Sequence, residues 1–560
     1  MKTTRVMKRI RSAFFALTLI ALAGTAQAVT HTWTNKVGGL WSDAANWDVP
    51  PVSAEDTVIL FTNKGPYAVT NDLTADPFIL NRIVFTNASG TITLAAGTNL
   101  SFQGANAGVW EIGSGVLVIN NVMDLATNII VSGDVNFDST SPITGTGAMT
   151  VTSGTSTLRM TAGNTFSGGI IITNSGSRVA ITSGGAPYRL CGGPITIHSG
   201  WTNVWSDNLG SVQGPLLDHC GSALTNAINL CGGMICAWRG DPTHYNGPLY
   251  LDDNPRNAFT LDWTLNVNGQ VTGPGGFMVA PAGKARRSCV ITNLSNTFKG
   301  PVLIAGTQLS TPQFNSVNSG RPSALGSPDT VANGTIHLGY IGVQWATAAT
   351  LYYTGTNETT DRVINLPGKT LGVAITHAGP AGNLLKFTSD FTVPGVDASD
   401  CRKTLTLSVT QATSTMEIAG TIPDATLGNA GQKATSITKS GAGTVTFSGT
   451  NTYSGATLVN GGKLAVSGSI ANTASLTITN AAVSLSAKTC LSTNTTIYLR
   501  NAGTMNLNYS GRIYGIPAIY TNGVLLGTGT YGAAELPTFL TGTGYISTFK
   551  SEPGTLISFQ

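Results

Sequence analysis

The amino-acid sequence predicts an all-β chain whose short strands stack in parallel along one axis as a β-solenoid. Three observations carry this prediction. Helix-forming residues are scarce, strand-like runs closed by turn residues recur about every ten positions, and one pentapeptide phrase is used three times. The chain has 560 residues, 68 of them Gly, with 10 % charged and 41 % hydrophobic. Ordinary soluble domains carry roughly a quarter charged residues and ~7 % Gly. Normal hydrophobicity with so little charge excludes intrinsic disorder, which needs the opposite balance. No strict Gly period is present, which excludes collagen, and no Leu/Glu/Lys heptads are present, which excludes a coiled coil.

The chain opens with a segment that takes no part in the fold. Lys2, Arg5, Lys8, Arg9 and Arg11 precede an apolar run, Ala13 to Gly24, and then Ala26-Gln27-Ala28. A basic start, a short apolar run and a small-residue cleavage site make a secretory signal peptide over residues 1–28. The apolar run is shorter than the ~20 residues needed to span a bilayer. Removing this leader takes five of the 30 bases and leaves 25 against 26 acids, a net charge of −1. No basic stripe remains, so nucleic-acid binding is not expected. No later apolar stretch reaches transmembrane length, so no membrane-spanning helix is expected in the mature chain.

Beyond the leader, Thr, Ser, Asn and Gly dominate, residues that favour strands and turns over helices. Gly90-Thr91-Ile92-Thr93-Leu94, Gly115-Val116-Leu117-Val118-Ile119 and Gly443-Thr444-Val445-Thr446-Phe447 are examples of the strand runs. Their alternation fits one buried and one solvated face. Such spacing is common to sandwiches, barrels and solenoids, and internal repetition decides among them. The phrase Asn-Thr-aromatic-x-Gly occurs at Asn164-Thr165-Phe166-Ser167-Gly168, Asn296-Thr297-Phe298-Lys299-Gly300 and Asn451-Thr452-Tyr453-Ser454-Gly455. Each is followed by an aliphatic run: Ile170–Ile172, Val302–Ile304 and Leu458-Val459. Upstream lie Gly145-Thr146-Gly147, Gly273-Pro274-Gly275 and Gly441-Ala442-Gly443. A lone short strand buries too little; stacked equivalents bury Ile, Val and Leu in one column, and glycines form the corners. Asparagines at the turns are expected to form amide ladders, and aromatics to stack. With ~20–30 residues per coil, on the order of 20 coils at ~4.8 Å spacing give a rod roughly 100 Å long.

The run from Ile437-Thr438-Lys439-Ser440-Gly441-Ala442-Gly443 through Thr452-Tyr453-Ser454-Gly455 to Leu464-Ala465-Val466 closely resembles the autotransporter-associated β-strand repeat. The segments around Phe166 and Phe298 resemble degenerate copies. The opening, Thr32-Trp33-Thr34 with Gly39-Leu40-Trp41 and Asn46-Trp47, is similar to the tryptophan-rich start of exported bacterial proteins with this repeat. Ile519–Val524, Gly529–Gly532 and Gly542–Gly544 are similar to their usual ends. The resemblance implies a right-handed parallel β-helix passenger, exported and either surface-associated or released. Residues 467–560 are too few for the translocator barrel of a true autotransporter, so that module is not expected. The organisation read from the sequence is a leader at 1–28, a Trp-rich capping region at 29–110 and degenerate coils at 111–436. The repeat at 437–466 and a closing region at 467–560 follow.

Candidate chemistry is sparse. Gly527-Thr528-Gly529-Thr530-Tyr531-Gly532 spells a dinucleotide-type glycine pattern, but Pro537 follows where a helix should start, so a turn is expected. Gly368-Lys369-Thr370 lacks the leading glycine of a phosphate loop, with Val363 in its place. His219, Cys220, Cys231, Cys236 and His244 are the densest soft-ligand group. Zinc wants such ligands at short spacing, yet buried thiols or a Cys231–Cys236 disulfide are expected here. The seven cysteines are otherwise Cys191, Cys289, Cys401 and Cys490, too few for a disulfide scaffold. Asp252-Asp253 with Arg256 is the best acidic cluster, of the kind that β-helix enzymes on polysaccharides use; Asn254-Pro255 marks it as a turn. Trp33, Trp41 and Trp47 are expected to close the first coil rather than stack on sugar rings. No catalytic, metal or cofactor residues are therefore assigned. The expected function is a non-catalytic exported β-solenoid, a surface, adhesive or matrix protein, outside the cell or on its outer surface, with the periplasm as the alternative location. Its partners are further copies, the cell envelope or glycans. A β-helix enzyme on polysaccharide, or a glycan-binding module, is the alternative.

Overall fold

In the computed structural model the described residues are 28–549, apart from 87–89, 113–114, 133–135, 140, 153–156, 161–162, 174–177, 182–189, 199–215, 220–222, 238–242, 256, 282–286, 340–347 and 368–371. The signal peptide reading, Cys220, Arg256 and the Gly368-Lys369-Thr370 motif lie outside them.

The chain winds through three faces per turn, each face a parallel sheet growing by one strand per coil. Face one is an 11-stranded sheet from Val29–Trp33 to Val271–Thr272, succeeded by an 8-stranded sheet from Glu358–Thr360 to Leu540–Gly542. Face two is a 14-stranded sheet from Gly39–Leu40 to Ile364–Asn365. Face three begins as a 4-stranded sheet, Phe78–Leu80 to Ile143–Gly145. It resumes as a 14-stranded sheet from Ala223–Leu224 to Val524–Leu525. This is the parallel β-helix that the sequence predicts, with about twenty coils at the usual strand spacing.

The coil length follows from the register. Met149 pairs with Ile170, Thr157 with Arg178 and Thr457 with Leu476, about twenty residues apart. Insertions lengthen some coils, so that Gln308 pairs with Thr350 and Val302 with Ile336. Alternation sets the packing: in Thr444–Phe447, Val445 and Phe447 are buried while Thr444 and Thr446 face outward. One continuous core results, running from Trp33 to Ile546. Phe259, Phe277 and Phe298 stack within it at centroid distances of 4.8 and 5.4 Å. In the first described coils Trp33, Trp41 and Trp47 are buried in edge-to-face contact, at 4.9 Å (Trp33–Trp47) and 5.4 Å (Trp41–Trp47). Near the other end the stacking rule changes: Tyr520 pairs with Leu525 and Tyr531 with Ile546 in antiparallel fashion.

Candidate functional site: the repeat corners and a cleft on face two

The repeated phrase is a corner piece. Its Asn reaches one coil back: Asn164, Asn296 and Asn451 each accept, through Oδ1, the backbone N–H of Ile143, Val271 and Ile422, at 2.8–3.0 Å. The backbone N–H of the following Thr donates to the carbonyl of that same residue. The Asn amide also reaches forward, with Asn296 Nδ2 donating to Ala324 O (2.9 Å) and Asn451 Nδ2 to Ser469 O (3.2 Å). The aromatic ring of each copy is fully buried. The closing glycine sits against the neighbouring coil's backbone. A Cβ at Gly168, Gly300 or Gly455 would lie 2.2–2.4 Å from Ala148 N, Gly276 N or Thr435 O. The phrase thus stands in for a strand and staples three coils together. The asparagines mostly bond backbone rather than one another, unlike the expected ladders; Asn268 and Asn246, 2.8 Å apart, are a side-chain pair of the expected kind.

Two further buried groups serve the scaffold. Lys439 is fully buried, and its ammonium donates to the carbonyls of Ser440, Gly441 and Gly461 at 2.7–2.9 Å. Burial lowers its pKa to about 8. Glu358 accepts the N–H groups of Phe314 (3.0 Å) and Asn315 (2.6 Å), while Arg362 donates to Asn315 O (3.0 Å) and Leu325 O (2.9 Å). Desolvation raises the Glu358 pKa despite these bonds and lowers that of Arg362 to about 10. Together they pin the inserted loop that follows Gln308–Thr311. None of these roles is visible in local sequence alone, because each group also needs a partner that lies a coil away, such as Gly461 for Lys439 and Leu325 for Arg362.

A cleft of about 630 Å³ opens on the outer side of face two, where that insertion joins the coil. Its floor is a register column, Met278 beside Leu303 and Leu303 beside His337, with Asn365 next in line. Phe277 and Val279 point into the core, so Met278 faces outward, yet it is only 2 % exposed. One wall is a pile of turns carrying Pro255, Pro274 and Pro301, and Asn333 and Pro367 border the far side. Glycine lets these turns lie so close: a Cβ at Gly275 would be 1.6 Å from Asp252 O. His337 Nδ1 lies 2.8 Å from Asn365 Nδ2, and Asn365 Oδ1 accepts from Thr392 Oγ1 at 2.6 Å. This fixes the amide as donor to Nδ1 and leaves the imidazole proton on Nε2. Burial also pushes the His337 pKa down, which keeps the ring neutral.

Of the residues singled out in the sequence, the structure brings Cys231 and Asp252 together, where burial and the neighbouring carboxylate raise the thiol's pKa; the others are dispersed. Asp252 closes its own turn, with Oδ1 accepting from Asn254 N at 3.0 Å. Asp253 is exposed on the rim of the cleft. Of the two readings left open for Cys231 and Cys236, buried thiols or a disulfide, the structure shows no disulfide between them. Cys231 ends a strand on face one and Cys236 stands on the outer side of face two, so a corner separates their side chains. His244 lies on face three, next to Asn268. His219 belongs to the face-two strand Leu216–His219. Among the described residues no three His, Cys, Asp or Glu side chains converge as a metal site. Gly527–Gly532 contains the two-residue strand Thr530–Tyr531, and no helix follows it among the described residues. No helix among the described residues is long and apolar enough to cross a membrane.

Comparison with known proteins agrees with this architecture. The passenger-associated-transport-repeat family matches residues 151–177 and 437–466, which hold the Phe166 and Tyr453 phrases. The Adhesin BmaC autotransporter of Brucella suis biovar 1 (strain 1330) is 27 % identical over 365 residues, 63 % of this chain and 8 % of that protein. This chain therefore spans less than a tenth of that relative's length. No solved structure matches the chain at a significant level. With its repeats, its stacked coils and this likeness, the chain is an autotransporter-passenger-like repeat protein.

Proposed function

We propose that this chain is an exported adhesin-like passenger, displayed at or released from the cell surface, and that it acts by binding rather than by catalysis. The observation that carries the reading is the 365-residue likeness to an autotransporter adhesin, a likeness to the protein bearing that name rather than a measured activity of this one. The repeat chemistry supports it. Asn296, Asn451 and Lys439 are all committed to bonds between coils, so these groups make a long stiff scaffold rather than a reaction centre. Self-association is a second part of the proposal. On face three the outward columns Thr404, Thr406 and Ser408 beside Ser436, Thr438 and Ser440 are uncharged, and weak charge favours association.

The test uses the purified chain on a glycan array and on immobilised matrix proteins, with an assay for reducing or unsaturated sugar products run on the same glycans. Saturable binding without product supports the proposal. Product release abolished by Asp252→Asn or Asp253→Asn overturns it in favour of a polysaccharide-acting enzyme.

A further inference from the structure

We propose that the cleft on face two binds an acyl chain, with the chain's polar head at His337 and its hydrocarbon laid along Leu303 and Met278. This goes beyond the adhesive reading and does not depend on it. The floor is the first reason. The outward side of a solenoid sheet ordinarily meets water and is polar, as the Thr and Ser columns of face three are. At Phe277–Pro281 both sides of the strand are buried, and Met278 and Leu303 continue an apolar column outside the core. The walls are the second reason. Pro255, Pro274, Pro301 and Pro367 line the cleft, and proline has no N–H to offer. A peptide or sugar would find few donors there, whereas methylene groups need none.

The head group follows from His337. Its Nδ1 is engaged by Asn365, so Nε2–H is the donor left to the cleft, and it suits a carbonyl or carboxylate oxygen. Asp253 stands at the opposite end, three coils away or about 14 Å along the stack. Its charge repels an anionic head, which sets the direction of the chain, and the distance suits a medium-length acyl group. The volume of about 630 Å³ falls within the range of small-molecule sites, ~300–1,000 Å³.

The test is displacement of the neutral fluorescent probe N-phenylnaphthylamine from the whole purified chain. Decanoic acid is expected to displace it, and the trisaccharide cellotriose is not. Leu303→Asp, which puts a charge on the floor, is expected to weaken both probe and acid at least tenfold. His337→Leu is expected to weaken decanoic acid about tenfold and leave the probe unchanged, because the probe has no acceptor to lose. Melting curves establish that each variant is folded, and His337→Leu carries the test alone if Leu303→Asp is not. Flotation with phosphatidylcholine vesicles, lost in the variants, identifies the chain as membrane lipid; displacement by decanoate without flotation identifies it as free acid. Absence of saturable probe binding overturns the proposal. So does displacement by cellotriose in place of decanoate, or decanoate affinity unchanged in both variants.

Discussion

Replacing Asn296 by Ala removes one side chain and breaks the chain's hydrogen bonding in two coils at once. Asn296 is fully buried, accepts from Val271 N at 2.8 Å and donates to Ala324 O at 2.9 Å. The alanine variant leaves that N–H and that carbonyl without a partner, and each orphaned buried group costs ~1–3 kcal/mol. The expected loss is therefore roughly 2–6 kcal/mol, the upper end applying where water does not enter the space left by the amide. A solenoid holds each coil only through its neighbours, so the loss is local. Hydrogen exchange read by mass spectrometry is the assay. Amides around Val271 and Ala324 are expected to exchange about 30-fold faster or more, at 1.4 kcal/mol per tenfold, while amides of 437–466 keep their protection. Asn293→Ala is the control from the same turn. Asn293 donates to Asn268 O at 3.0 Å, but that bond is open to solvent, so its loss is expected to cost no more than about 0.5 kcal/mol. If Asn296→Ala exchanges like wild type at both coils, or no faster than Asn293→Ala, the corner phrase is not a staple.

Three further outcomes follow from the same geometry. Gly300→Ala puts a Cβ 2.2 Å from Gly276 N and is expected to lower stability by more than about 2 kcal/mol; Gly320→Ala, at φ +66° in open space, is expected to cost about 1 kcal/mol, and denaturant melts rank the two. Lys439 releases its proton near pH 8 when folded but near the ordinary 10.5 when unfolded. Between those values the unfolded chain holds more protons, so this lysine's contribution to stability rises with pH there. The stability gap between wild type and Lys439→Met is expected to widen from pH 8 to pH 10, and a constant gap in denaturation midpoints refutes the shift. Trp41 is fully buried against Trp47 and Phe78 at 5.4 and 5.5 Å, so Trp41→Ala is expected to cost ~3–5 kcal/mol. Limited proteolysis is expected to cut that variant first among the opening coils.

The strands were legible because their signal is local. Thr91–Ala95, Val116–Ile119 and Thr444–Phe447 lie where alternation places them, and Phe166, Phe298 and Tyr453 are buried as a repeated aromatic should be. What alternation does not report is where a residue's partner lies one coil away. The role of Lys439 depends on Gly461, and that of Arg362 on Leu325, across insertions of unequal length. The sequence left thiols and a disulfide both open for Cys231 and Cys236, and the disulfide is ruled out for a related reason. Five residues are a short step in sequence, but here they turn a corner, and the two side chains leave it from different faces. The cleft was invisible as a unit, although Asp253 and Gly273-Pro274-Gly275 had each stood out for other reasons.

The three phrases also occupy three different faces, and this explains both the weak periodicity and the position of the cleft. The Phe166 copy bonds to Ile143 on face three, and the Phe298 copy to Val271 on face one. The Tyr453 copy takes the place of face two, between the strands Thr444–Phe447 and Thr457–Val459. A corner piece whose asparagine bonds only to the backbone of adjacent coils is indifferent to which corner it fills, so insertions between copies shift its phase without penalty. The cost falls on the coils in between, which must absorb each shift by lengthening. Two long departures from the basic coil, Val302 to Ile336 and Gln308 to Thr350, follow directly on the Phe298 copy. Extra chain there supplies Asn333 and His337 beside the Met278 and Leu303 column, and the wall opposite is made of the tightly stacked glycine turns of the repeat. The cleft thus lies where the repeat slips by one face.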